Sequence, residues 1–232
     1  LYDRCRNYDL GAEQRANVSA LSPWIRHRLI TELEVLEVIL EQHSFQTAER
    51  FVHEVFWRTY FKGWLEQHPG VWSSYQVGLR RQIKSVGKDR RLAANYTRAM
   101  VGETGIDCFD AWADELVRTG YLHNHARMWF ASIWIFTLQL PWELGADFFL
   151  RHLIDGDPAS NTLAWRWVAG IQTKGRPYIA RASNIAKFTN QKFCPMHQLE
   201  TKVVSKVDPL DHTRRPIQEV AQAKDIPSDF LL

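Results

Sequence analysis

The sequence predicts an all-α fold, on three observations. Apolar positions recur at helical spacing through long stretches; over residues 47–67, Phe51, Glu54 and Arg58 fall at i, i+3 and i+7 on one face. Helix punctuation brackets such stretches: Ser22-Pro23 and Asp157-Pro158 each set a capping residue before a proline, and Gly120 stands where a periodic run ends. No β-α-β alternation and no strand-spaced series of turns interrupts the pattern.

At 232 residues the chain is long enough for one domain with a sizeable core. That domain is expected over 1–194, with a tail over 195–232 that packs on it or trails from it. Apolar residues at 45% and charged residues at 24% match an ordinary soluble globular chain. The longest uncharged run, 128–142, contains Pro141 and is short for a membrane span, so it reads as a buried core helix. Net charge of +3 permits nucleic-acid binding without requiring it. Cys5, Cys108 and Cys194 lie far apart and make no C-x-x-C pair, which predicts a reduced, cytoplasmic setting and no metal site. Ten tryptophans are more than packing alone selects, because a buried indole wants a partner for its N–H.

Taken in order, residues 1–16 are polar and form a lead-in. Ser19-Ala-Leu21-Ser22-Pro23 opens an apolar-periodic stretch through Leu40, with Ser22 capping a helix that begins at Pro23. Such a start is a plain cap, and equally a place where hydroxyls and free N–H groups suit a phosphate. In the 47–67 helix, Glu54 and Arg58 stand four apart, spaced for an ion pair worth about 0.3–0.5 kcal/mol if exposed. Residues 78–98 are basic, with Arg80, Arg81, Lys84, Lys88, Arg90, Arg91 and Arg98 opposed by Asp89 alone. This is either a solvated face or a set of phosphate contacts whose affinity falls steeply with salt. A helix starts near 104–110, runs to about Thr119 and stops at Gly120. Residues 121–140 read as a buried central helix, and the charge of Arg127 within it needs a buried partner. After residue 195 prolines punctuate a polar tail with one short helix around 217–224.

The most informative stretch is Asp155-Gly-Asp157-Pro-Ala-Ser-Asn161-Thr-Leu-Ala-Trp165-Arg-Trp167. Gly156 supplies a turn, Asp157 a cap, and Pro158 the first helical position. Asn161 and Trp165, four apart, then project from one face just beyond two carboxylates. Aromatic walls with a few polar groups suit a cofactor pocket better than a bland core helix.

This stretch resembles the flavin-binding signature of DNA photolyases and cryptochromes. Three further blocks follow that family's order: Ser19 to Pro23, Glu54-Val-Phe-Trp57-Arg58, and Thr104-Gly-Ile with Gly120-Tyr-Leu-His-Asn124-His125-Ala-Arg127-Met128. Together they cover roughly residues 1–180. The resemblance implies the family's α-helical FAD-binding domain, active with reduced FAD. It implies that Tyr2, Ser19, Leu21 and Ser22 approach the flavin phosphates, although Tyr2 stands further from Ser19 than is usual and Val18 replaces a threonine. It places Phe51 (often a tryptophan in the family), Glu54, Arg58 and Asn124 along the cavity. It pairs Arg127 with Asp155 and sets Asp155, Asp157 and Asn161 around the flavin ring. Trp57, Met128, Trp167, His125, Lys174, Arg176 and Arg181 are then expected at the DNA lesion, with Glu54 hydrogen-bonding the damaged bases. Trp165 and Trp142 match the first two carriers of the family's electron-transfer chain. The third does not align, and Trp72, Trp129, Trp134 or Tyr96 stand in reach of the role.

Asn124, Met128 and Asn161 resemble repair enzymes for cyclobutane pyrimidine dimers more than 6-4 photolyases or animal and plant cryptochromes. The leading expectation is therefore blue-light-driven repair of UV-damaged DNA by a monomer. The family usually carries an N-terminal α/β antenna domain, which these residues do not include; binding is then expected to favour single strands. A cryptochrome-like photoreceptor is the alternative, and a flavin-less helical DNA- or protein-binding module the third reading.

Overall fold

The computed structural model describes residues 2–173, 175–201 and 214. Among them the regular structure is helical throughout: α1 (Tyr2–Cys5), α2 (Ser22–Arg26), α3 (Glu32–Gln42), α4 (Phe45–Gln67), α5 (Pro69–Val86), α6 (Arg90–Val101), α7 (Asp107–Thr119), α8 (Asn124–Ser132), a π-helical turn (Ile133–Thr137), α9 (Trp142–His152), α10 (Pro158–Val168) and α11 (Ala182–Phe188). No described helix is long and apolar enough to cross a membrane.

Two cores organise these helices. The larger is aromatic: Phe109, Trp112, Phe130, Trp134 and Trp165 are fully enclosed within it, from α7, α8, the π turn and α10. Phe109 stacks on Phe130 at 4.1 Å and Trp112 on Trp129 at 5.5 Å. Most of these indoles find the polar partner they need: Trp112 donates to Asp9, Trp129 to Asn184 and Trp134 to the Pro141 carbonyl. The smaller core joins Ile25, Val35 and Val55, with Phe51 packed against them, and ties α2 and α3 to α4. Gly145 brings α9 against α10. A Cβ there would collide with the Trp165 ring and lie 2.9 Å from Trp134 Nε1.

The structure corrects three boundaries. The apolar stretch 23–40 is two helices, not one. Arg28 turns the chain at φ 59°, and Thr31 starts α3 with a reciprocal capping box to Glu34. Ser22 does not cap α2, because its hydroxyl is directed at Asp155. The 121–140 stretch starts its helix at Asn124, where His123 caps it, and ends in the π turn. The uncharged run 128–142 therefore bends, with Gln139 at φ 54°, before α9 begins. Gly120 ends α7 in the left-handed conformation as expected. Beyond α11, Leu199 packs on the larger core, the Glu200 N–H donates to Thr137 Oγ1, and Arg214 reaches Gln67. The helix expected at 217–224 lies outside the described residues.

Candidate functional site

The turn between α9 and α10 is the centre of a polar cluster. Gly156 is needed there because a Cβ would stand 2.9 Å from the Leu153 carbonyl oxygen; close approach, not turn flexibility, requires the glycine. Asp157 caps α10 through the N–H groups of Ala159 and Ser160, at 3.1 and 2.9 Å. Asp155 is almost wholly enclosed. Its Oδ2 accepts from Arg127 Nη2 at 2.8 Å and from Ser22 Oγ at 2.5 Å. Burial pushes this carboxyl upward, but Arg127, Ser22 and Arg58 outweigh it and hold it below the ordinary aspartate value. Arg127 also donates to the Leu122 carbonyl and lies over the Tyr121 ring. Helix α2 docks on the same turn, with Arg26 donating to the Gly156 carbonyl and His27 bonded to that of Ile154.

Helix α4 supplies the facing wall. The ion pair expected between Glu54 and Arg58 does not form, since tertiary partners claim both. Glu54 pairs with Arg6 from the lead-in segment. Arg58 stands 3.4 Å from Glu32 and 4.0 Å from Asp157, and Lys62 is 3.9 Å from Asp157. These distances exceed good hydrogen-bond geometry. Arg58 Nε and Nη2 are buried with no hydrogen-bond partner, as are Asp155 Oδ1 and Trp165 Nε1. A buried polar group without a hydrogen bond costs about 1–3 kcal/mol, and Arg58 and Asp155 bring three such atoms to the elements that meet at this turn. Asn161 is oriented by donating its amide to the Ala146 carbonyl at 2.8 Å.

The phosphate-side expectations fare unevenly. Tyr2 packs edge-on against Phe51 at 5.4 Å, with Arg6 and Glu54 acting on its phenol. Ser22 reaches the site by holding Asp155. Leu21 is half-buried and Ser19 is exposed. Phe51 belongs to the smaller core. Glu32, Lys62, Arg6 and Arg26 complete the cluster and were not singled out for it from sequence. Lys62 had a signal, since it continues the Glu54, Arg58 face at i+4; Glu32 had none, because only the α2–α3 break brings it across α4.

Exposed aromatic residues stand on the same helices, α4 and α10. Trp57 is 50% exposed and stacks on Phe61; Trp167 is 39% exposed and stacks on Tyr178 at 5.4 Å. Beside Tyr178 a cleft of about 410 Å³ is lined by His125, Arg181 and Asn184. Asn124 and Arg176 are exposed and Met128 is half-buried; Lys174 lies outside the described residues. His125 stacks on Trp129 at 4.2 Å, and its Nδ1 donates to the Asn7 carbonyl at 2.9 Å. Burial, partly offset by the Asn7 carbonyl and Asp9, lowers its pKa below the ordinary histidine value.

The proposed electron carriers fall into two aromatic sets. Trp165 meets Trp134 at 6.2 Å, which meets Tyr96 at 5.9 Å. Trp142 meets Tyr75 at 5.5 Å, which meets Trp72 at 5.2 Å. Trp129 instead stacks between Trp112 and His125.

Residues 51–220 match the model of the FAD binding domain of DNA photolyase. A deoxyribodipyrimidine photo-lyase of Streptomyces griseus is 33% identical over 174 residues, 74% of this chain and 36% of the relative. A cryptochrome DASH of Natronomonas pharaonis is 33% identical over 181 residues, 75% of this chain and 36% of its own length. Among solved structures, a bacterial class III photolyase from Agrobacterium tumefaciens superposes with a TM-score of 0.65 at 26% identity, covering 82% of this chain and 39% of that one. The chain thus spans little more than a third of the length of these relatives.

Proposed function

Because this chain belongs to the DNA photolyase and cryptochrome family, carrying the match to its FAD-binding domain over residues 51–220, we propose that it holds FAD beside the Asp155–Asp157 turn and repairs cyclobutane pyrimidine dimers in DNA under blue light. The observation that carries this reading is the set of buried atoms on Arg58 and Asp155 that make no hydrogen bond. FAD fits them: its phosphate and carbonyl oxygens accept, and its ring N–H and hydroxyl groups donate. Bound and reduced, FAD supplies the light-absorbing electron donor.

The chain's own residues bind, orient and exclude water. Arg58 offers two donors that its ion-pair neighbours Glu32 and Asp157 leave without a hydrogen bond, Asp155 offers one acceptor, and Arg127 balances the Asp155 charge. The Ala146 contact orients the Asn161 amide. Trp57 and Trp167 present exposed faces on which bases turned out of the helix can stack. Glu54 stands on the same helix face as Arg58. Arg6 bonds its Oε1 alone, which leaves Oε2 to meet a base, as a donor to a base carbonyl only when it carries a proton. Glu54→Ala is expected to slow repair while FAD stays bound; unchanged repair, or lost flavin, would count against that role.

A photoreceptor without repair is the second reading, favoured by the cryptochrome DASH relative. The deciding test mixes FAD-loaded, chemically reduced protein with oligonucleotides carrying one dimer, single- and double-stranded, with and without light. Light-dependent loss of the dimer supports the enzyme and gives its strand preference. No loss with fully reduced flavin overturns repair and leaves the sensor.

A further inference from the structure

We propose that the hairpin of α5 and α6 is a second nucleic-acid contact, a sequence-independent grip on the phosphate backbone of duplex DNA outside the flavin cluster. Arg80, Arg81 and Lys84 end α5, Lys88 lies in the turn, and Arg90 and Arg91 open α6; all six are exposed. None of the six forms an ion pair among the described residues. The one acid in the hairpin is committed elsewhere, since Asp89 accepts from the N–H groups of Arg91 and Leu92 at 2.9 and 3.0 Å.

Helix stability does not account for the whole set. Lys84 near the end of α5 suits the helix dipole, but Arg90 and Arg91 sit in the first turn of α6, where the dipole opposes positive charge. The turn that presents them is ordered by its own bonds: Lys88 N–H and Asp89 N–H both donate to the Ser85 carbonyl, at 3.0 and 2.9 Å. On their outer sides α5 and α6 are free to meet a partner, because Tyr75, Gly78 and Ala99 face inward.

Charge density identifies the partner. At 1.5 Å per residue, the span from Arg80 to Lys88 covers about 12 Å of helix axis. That is close to the screening length of about 10 Å at 0.1 M salt, so the four cations on it act as one field, with Arg90 and Arg91 following on α6. Duplex DNA carries one charge per ~1.7 Å of axis, or about seven over the same length. Four of the six cations lie on that span, close to the share of those phosphates carried by the one strand that faces them. The proposed function enters only in naming DNA as the polyanion.

The test uses the full FAD-loaded chain in the dark with an undamaged labelled duplex, titrated at several salt concentrations. The triple variant Arg80→Gln, Arg81→Gln, Lys84→Gln is compared with Arg4→Gln, Arg50→Gln, Arg118→Gln, which removes the same charge elsewhere. At about 0.9 per phosphate contact, the patch variant should lose up to about 2.7 from the slope of log affinity against log salt, and the control far less. Helical circular dichroism and bound flavin should be unchanged in both. Equal slopes for the patch and control variants would overturn the proposal, as would wild-type protein that does not bind undamaged duplex at low salt. The preference for dimer-containing over undamaged DNA reports on the flavin cluster instead and should survive in the patch variant, so the two readings fail separately.

Discussion

Replacing Asp155 by alanine should be the most damaging single change at the site, even without flavin. The carboxylate is 3% exposed and accepts from both Arg127 and Ser22. Removing one partner of a buried pair typically costs 3–5 kcal/mol. Arg127 is 23% exposed and keeps the Leu122 carbonyl and the Tyr121 ring, which lowers the expected loss to about 2–3 kcal/mol. Urea unfolding at pH 7 should show a midpoint lower by roughly 1 M. The pH dependence supplies a second check. The folded-state pKa of Asp155 is depressed, so its contribution is present above the ordinary aspartate value of 3.8 and disappears as pH falls through the lower folded value. Wild type and Asp155→Ala should therefore converge in strong acid. A variant as stable as wild type at pH 7, or a gap unchanged in acid, would refute the reasoning.

Other changes test neighbouring parts. Gly145→Ala forces a methyl into the Trp165 ring and should cost about 1–3 kcal/mol or more, read as a lower melting temperature with reduced flavin loading. His123 and His125 are both lowered by burial below 6.5, so the unfolded chain takes up protons first as pH falls. Stability should therefore decline from pH 7 toward 5, and His123→Gln should flatten that slope. Trp57→Ala and Trp167→Ala lose exposed stacking faces; each should weaken binding of dimer-containing DNA by about 1–3 kcal/mol in a dark titration, with unfolding nearly unchanged.

What could be read from sequence was local. Asp157-Pro158 as a helix start and Gly120 as a helix stop follow from backbone chemistry within a few residues, and both hold. The Arg127–Asp155 pair came from the family resemblance, supported by the cost of an unpaired charge in an apolar run, and it forms at 2.8 Å. The misreadings involve partners distant in sequence. Glu54 and Arg58 are spaced for one another, yet Arg6 and Glu32 take them, because α1 and α3 fold against α4. Ser22 has the spacing of a cap, yet Asp155, 133 residues away, takes its hydroxyl. One local signal was present and passed over: Thr31-Glu-Leu-Glu34 is a capping box, and it marks the break between α2 and α3.

FAD uptake by the purified chain tests the central claim most directly. Wild type should take up FAD, read by quenching of flavin fluorescence. Arg58→Met removes two buried donors that make no hydrogen bond, and charge-assisted bonds are worth about 1.5–3 kcal/mol. The variant should bind at least about tenfold more weakly with its helical spectrum intact. A folded wild type that refuses FAD, or an Arg58→Met variant that binds it equally well, would contradict the account.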